Sequence, residues 1–288
     1  MPPRPLAGRT ALLLRSADRA APTIAELASR GAATVLCPLI DFELPADTGL
    51  LDDGVRTLLD GGFDWLVLTS RTAMLAVLQR ANALGRSDGT TVQVPAGTRV
   101  AAVGEATAAA CRAAGIGVDV VPVHDHSARG MLAEWPRRLR PTGGHTVFMP
   151  QADIASTTLA DGLRGWGNDP VVATAYRTVD APADPARALA ATGQNTPAPD
   201  LSPADLAAAG GAPRGVEAVL FTSPSIVRRY LALAGPAPHL PAIAIGDSTA
   251  AALRNHGWEP AVTATEASPA GLANAWEHAL DRAGPAHG

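Results

Sequence analysis

Four short polar turns hold the side chains of this sequence best placed for chemistry. They are Thr69-Ser70-Arg71, Gly104-Glu105-Ala106-Thr107, Thr222-Ser223-Pro224-Ser225 and Gly246-Asp247-Ser248-Thr249. Each follows an apolar run of strand length and opens a helix-length stretch. Hydroxyls and free amides at a helix N-terminus bind carboxylate or phosphate, helped by the helix dipole. Ser and Thr are also the preferred N-caps, so capping alone explains any one of these turns. Four of them, paired across two halves of the chain, point to ligand binding at the carboxyl ends of strands. None carries Gly-x-Gly-x-x-Gly, so a dinucleotide is not expected.

Tyr176 is one of only two tyrosines and lies in Ala175-Tyr176-Arg177-Thr178, where the chain would pass between domains. A phenol there either donates a proton into a cleft or anchors the linker by packing, and spacing leaves both readings open. His124-Asp125-His126 has alternate spacing but no evident third ligand, so no metal site is expected. His145 and His256 flank elements and read as surface residues, and Asp52-Asp53 lie in a polar stretch and read as solvent-facing. No nucleophile-elbow sequence is present. Cys37 and Cys111 sit in apolar segments and read as buried free thiols in a reducing cytoplasm.

All 23 basic residues are arginine. Without lysine there is no Schiff base, no pyridoxal phosphate linkage and no P-loop. A formal charge of −4 argues against nucleic-acid binding. No apolar run approaches the roughly 20 residues of a membrane helix, and Met1-Pro2-Pro3-Arg4-Pro5 lacks the apolar core of a secretory signal.

The elements that position the turns come twice. Val103-Gly104-Glu105-Ala106-Thr107, with Arg112 and Gly115 after it, matches Ile245-Gly246-Asp247-Ser248-Thr249, with Arg254 and Gly257, at a constant offset of 142 residues. Trp65–Arg71 matches Ala218–Pro224, and Ser127, Gly130 and Trp135 match Ser268, Gly271 and Trp276. The segment Gly8–Asp18 resembles Gly144–Asp153. A period this long means two similar globular domains rather than a solenoid. Continuous apolar runs predict parallel strands at Thr10–Leu14, Ala33–Cys37, Trp65–Leu68, Val100–Val103, Val118–Val121, Thr146–Met149, Val171–Thr174, Val219–Phe221, Ala242–Ile245 and Ala261–Thr263. Helical stretches such as Pro22–Arg30, Thr72–Ala83, Thr107–Ala114, Thr157–Leu163, Ser225–Leu233 and Thr249–Asn255 alternate with them, several ended by glycine, Gly165 among these. The class is α/β, with two doubly wound parallel sheets. Ile40–Pro45 and Ala175–Pro182 read as extended connectors. Ala190–Gly215 reads as a flexible surface insertion, with one or two helical turns at Pro203–Ala209.

The ordered set Leu68-Thr69-Ser70-Arg71, Gly104–Thr107, Tyr176-Arg177-Thr178, Thr222–Ser225 and Gly246–Thr249 resembles the uroporphyrinogen-III synthase family, over about Thr10 to Leu280. The resemblance implies two flavodoxin-like domains joined by a two-stranded β linker. Residues 1–40 and 178–288 would form a discontinuous first domain, 50–172 the second, with linkers at 41–49 and 173–182. It implies cyclisation of hydroxymethylbilane to uroporphyrinogen III in an inter-domain cleft, inverting ring D through a spiro intermediate, with no metal or organic cofactor. The substrate carries eight carboxylates. Tyr176 matches the family's cleft tyrosine, a general acid for the departing hydroxyl. Thr69, Ser70, Arg71, Gly104, Thr107, Arg177, Ser223, Ser225, Gly246 and Thr249 would contact the substrate. Arg15 would join them, although Leu14-Arg15-Ser16 stands where the family commonly has Thr-Arg-Pro. The resemblance further implies a cytoplasmic monomer in transient contact with hydroxymethylbilane synthase. A non-catalytic tetrapyrrole- or polycarboxylate-binding protein of the same fold is the alternative.

Overall fold

The computed structural model describes residues 6–135, 144–189 and 199–283. Its elements are β1 (Thr10–Leu13), α1 (Ala17–Ser29), β2 (Ala33–Leu36), β3 (Ile40–Glu43), α2 (Gly49–Leu59), β4 (Trp65–Leu68), α3 (Arg71–Ala83), β5 (Arg99–Ala102), α4 (Glu105–Ala113), α5 (Ala128–Glu134), β6 (Thr146–Ala152), α6 (Thr158–Gly165), β7 (Asp169–Asp180), α7 (Pro203–Ala208), β8 (Ala218–Phe221), α8 (Pro224–Ala234), β9 (Ala242–Ala244), α9 (Asp247–Arg254), β10 (Val262–Thr263) and α10 (Pro269–Ala283). Two sheets result, ordered β10-β9-β8-β1-β2 and β3-β7-β6-β4-β5. The first pairs in parallel throughout. In the second, β7, β6, β4 and β5 are parallel. The order β2-β1-β8-β9-β10 is the flavodoxin-like winding, with its switch point between β1 and β8.

Contacts divide the chain into two compact units. Unit 1 takes the described residues within Met1–Asp41, Asp180–Pro182 and Asn195–Gly288; unit 2 takes those within Phe42–Val179 and Ala183–Gln194. Overlaying Gly246 on Gly104 matches β2, β1, β8 and β9 to β7, β6, β4 and β5. The helix partners match as well. α8 packs on α9 as α3 packs on α4, α1 on α10 as α6 on α5, and α7 on α8 as α2 on α3.

Each sheet is covered on both faces, which is why its strands are apolar throughout rather than alternating. In unit 2, Leu66 and Leu68 point into a core with Val55, Val77 and Phe148. Trp65 and Val67 point the other way, to Met131, Trp135 and Leu163. Unit 1 repeats this, with Leu12 and Val219 beside Phe221 and Tyr230 and Leu13 and Leu220 beside Leu272 and Trp276. Two glycines anchor the second layer. The Ser127 hydroxyl accepts the Gly130 N–H at 3.2 Å, and the Ser268 hydroxyl accepts the Gly271 N–H at 3.0 Å. A Cβ on Gly130 would lie 1.8 Å from the Asp125 carbonyl oxygen, and one on Gly271 2.0 Å from that of Glu266. Only glycine lets the loop carbonyl come so close to the helix.

The structure departs from the sequence reading in several places. Val118–Val121 makes a single bridge, Val120 with Ala101, instead of a strand. The second connector is not separate from the strand before it, since β7 runs unbroken from Asp169 to Asp180. α6 continues through Gly165, and the left-handed residue after it is Gly167, at φ 80°. The helical stretches named from the sequence include neither α2 nor α10. Within 190–215, residues 190–198 lie outside the described residues, while α7 is an ordered helix with a capping box from Ser202 and Asp205. Asp52 does not face solvent: it lies 9% exposed and takes two hydrogen bonds from Arg80, at 2.6 and 2.9 Å. Cys37 and Cys111 are buried free thiols.

Candidate active site

The carboxyl ends of the strands in unit 2 gather Ser70 after β4, Gly104 after β5, Gln151 and Asp153 at the end of β6, and Tyr176 in β7. A shift in register between Gln151 and Ala152 sets Tyr176, rather than Ala175, opposite Ala152. Bulges re-aim the side chains that follow them. Here Ala175 and Tyr176 are consecutive yet both join the same buried cluster. Tyr176 is 8% exposed. Its ring meets Phe42 edge-on, 5.6 Å between centroids, and its Oη lies 3.1 Å from Ser70 Oγ.

Ser70 is the N-cap of α3, with extended backbone, and its Oγ accepts the Ala73 N–H at 3.0 Å. Ser223 does the same for α8, accepting the Ile226 N–H at 3.3 Å. Its neighbour is Ser225, with the two Oγ atoms 2.9 Å apart. Thr69 and Thr222 are partly buried at the strand ends. Thr222 Oγ1 is buried and, among the described residues, without a partner.

The two Gly-x-x-Thr turns are built differently from the serine turns. Gly104 and Gly246 are the N-caps of α4 and α9, and neither helix has a side-chain cap. The N–H groups of Thr107 and Ala108 reach the Gly104 carbonyl at 3.0 Å. Those of Thr249 and Ala250 reach the Gly246 carbonyl at 3.1 and 3.0 Å. Thr107 and Thr249 are 5% and 1% exposed, so these turns offer a ligand backbone amides rather than threonine hydroxyls. Around Gly246 nothing among the described residues lies within 4 Å of the position a Cβ would take, whereas at Gly104 that space meets His126 at 3.3 Å.

The arginines divide. Arg71 is exposed at the first position of α3 and, among the described residues, has no ion-pair partner. Arg177 is also exposed, but its guanidinium lies 3.9 Å from Glu43 and 4.0 Å from Asp153. Arg15 is partly buried after β1 and interacts within the protein. Sequence reasoning missed Phe42, which braces Tyr176, and buried Glu43, which also takes Arg187 at 3.3 Å. Their only sequence signal is an aromatic and an acid in the first connector.

Other nucleophile or acid candidates are disarmed by burial. It pushes the Cys37 thiol up to about 12 and the Cys111 thiol up to about 11. Tyr230, the second tyrosine, donates to the Gly211 carbonyl at 2.6 Å, and burial pushes its phenol well above the ordinary value.

A family model described as uroporphyrinogen-III synthase HemD matches residues 21–274. A uroporphyrinogen-III synthase of Synechococcus elongatus is 30% identical over 179 residues, which is 62% of this chain. The chain thus spans 64% of the length of that curated relative. A mutant uroporphyrinogen III synthase from the extremely thermophilic bacterium Thermus thermophilus has the same fold, with a TM-score of 0.55 at 18% identity, covering 95% of this chain and 99% of that one. The uroporphyrinogen-III synthetase of Helicobacter pylori superposes with a TM-score of 0.55 at 17% identity, over 92% and 97%.

Proposed function

The chain belongs to the uroporphyrinogen-III synthase family, and we propose that it cyclises hydroxymethylbilane to uroporphyrinogen III, inverting the last pyrrole ring. The observation that carries the reading is the Tyr176 phenol, held 3.1 Å from Ser70 at the strand ends of unit 2. Tyr176 gives its proton to the terminal hydroxyl of the substrate, which leaves as water and creates an azafulvene. The substituted carbon of the last ring attacks it, and the spiro intermediate fragments and closes the other way round. Closure without the protein gives the uninverted isomer I, so the protein's main task is to hold geometry.

The substrate's carboxylates are taken up by the helix-opening turns. The turns at Gly246 and Gly104 supply the first-turn amides of Asp247, Ser248, Glu105 and Ala106, since those of Thr249 and Thr107 already bond the glycine carbonyls. Ser223, Ser225 and Thr69 supply hydroxyls, and Arg71, with Arg15 and Arg177, supplies positive charge. Arg71 is the strongest candidate of the three because it is exposed and unpaired among the described residues. We take the protein to act as a cytoplasmic monomer that receives its substrate by transient contact with hydroxymethylbilane synthase. No helix among the described residues is long and apolar enough to cross a membrane.

The test is an isomer assay. Hydroxymethylbilane is generated in place, incubated with the protein and oxidised, and the uroporphyrins are separated by chromatography. Isomer III above a protein-free background of isomer I is the expected outcome. Isomer I alone from folded protein rejects the reading and leaves a binding protein of the same fold.

A further inference from the structure

Ser70 Oγ touches two groups at once, the Ala73 amide and the Tyr176 phenol. A serine hydroxyl has one proton and two lone pairs, and its hydrogen turns to suit its neighbours. One lone pair of Ser70 is already occupied by the Ala73 N–H. The oxygen also sits at the positive end of the α3 dipole, which makes it a weaker acceptor and a stronger donor. Tyr176 has little freedom beyond its own O–H. Its ring is braced by Phe42 at 5.6 Å and packed in the unit 2 core. A phenol O–H prefers the plane of its ring, which leaves it two directions.

We propose that Ser70 is a positioning residue: it donates its hydroxyl hydrogen to Tyr176 Oη, which turns the phenolic O–H outward, toward the group to be protonated. This deepens the proposed function and rests on it. The proton balance follows. The Tyr176 O–H bond breaks as its proton joins the departing hydroxyl, the substrate C–O bond breaks, and water leaves. The negative charge left on Oη is met by the Ser70 O–H. The proton released when the closing pyrrole carbon regains aromaticity then returns to Oη, so the cycle is neutral. Were the hydrogen bond reversed, the Tyr176 O–H would point at Ser70 and away from the group to be protonated.

Unit 1 supplies the contrast. Ser223 caps α8 as Ser70 caps α3, but its hydroxyl faces Ser225. The role therefore belongs to one of two equivalent serines.

The experiment is a double-mutant cycle on the full chain. Ser70→Gly removes the hydroxyl while keeping an acceptable N-cap, so only a small loss of stability accompanies it. Ser70→Thr keeps the hydroxyl. kcat and KM for isomer III are measured for both, for Tyr176→Phe and for Ser70→Gly/Tyr176→Phe, with a thermal melt of each. The expected result is a fall in kcat of about tenfold or more for Ser70→Gly with little change in KM, the mark of an interaction made in the transition state. Ser70→Thr recovers most of it, and Ser70→Gly has no further effect when combined with Tyr176→Phe. Ser223→Gly, in contrast, multiplies independently with Tyr176→Phe. A Ser70→Gly effect that stays undiminished on top of Tyr176→Phe, or one confined to KM, overturns the proposal and makes Ser70 a cap or a substrate contact. No isomer III from the unmodified protein overturns the functional reading, and this inference with it.

Discussion

In unit 2 the serine that caps α3 sits beside a tyrosine; in unit 1 the serine that caps α8 sits beside a second serine. Around those serines the units agree closely. Both follow a fully buried strand, and both stand next to a Gly-x-x-Thr turn with a buried threonine. Both sheets are backed by a helix whose glycine lets a loop carbonyl approach to a distance no Cβ would tolerate. The supports are shared, and the difference lies in what the free side of each turn meets. β7 brings Tyr176 to Ser70 because a bulge turns it inward. Its counterpart β2 ends at Leu36. The Gly turns differ in the opposite sense, with Gly246 open and Gly104 shared with His126. On the proposed reading two similar scaffolds divide the work, unit 2 holding the proton donor and unit 1 the more open amide turn.

The two tyrosines put the sharpest strain on that division. Tyr176→Phe is expected to lower turnover about 100-fold or more, as loss of a general acid does, with little change in melting temperature. Tyr230→Phe should do the reverse. It strands the Gly211 carbonyl at a cost of about 1–3 kcal/mol, seen in denaturant melts, and leaves turnover alone. Unchanged turnover in Tyr176→Phe would make that residue an anchor like Tyr230.

Next come the shared supports. Gly130→Ala and Gly271→Ala each push a methyl into a backbone carbonyl, and both should destabilise by about 1–3 kcal/mol or more. Equal losses in chemical denaturation would uphold the equivalence of the two units, and a loss in only one would break it. Arg80→Met probes unit 2 alone. Burial pulls the Asp52 carboxyl upward, but Arg80 and Thr48 outweigh it and hold it below the ordinary value. A lowered carboxylate contributes stability above its unfolded value of 3.8 and loses it as pH falls through the folded value. The variant should therefore lose about 1.5–3 kcal/mol at pH 7, and the gap from wild type should narrow in melts taken below pH 3.8. The smallest effect is expected for Gly246→Ala. Its Cβ meets nothing within 4 Å among the described residues, so stability should change by less than about 1 kcal/mol. A several-fold rise in KM would place substrate at that turn.

The doubly wound class and the duplication were legible because both rest on strong local signals: continuous apolar strands and polar turns at a fixed offset. Ser70 and Tyr176 were each marked, one by its turn and the other by its rarity. Their contact was not, because it depends on a bulge across two strands that leaves no trace in composition. The burial of Asp52 was hidden for a similar reason. Its partner Arg80 lies 28 residues away on the neighbouring helix, so a polar stretch on α2 read as solvated. Thr107 and Thr249 read as ligand hydroxyls in sequence and are buried, since the third residue of each of these helices packs into the protein, as Ala73 and Ile226 do after the serine caps.

The most direct measurement is the isomer ratio from hydroxymethylbilane with the intact protein and with Tyr176→Phe, side by side at equal folded concentration. Predominantly isomer III from the intact protein, and mainly isomer I from the variant as spontaneous closure overtakes it, is the predicted result. The same excess of isomer III from both would contradict a single proton donor in unit 2, and isomer I from both would contradict the activity itself.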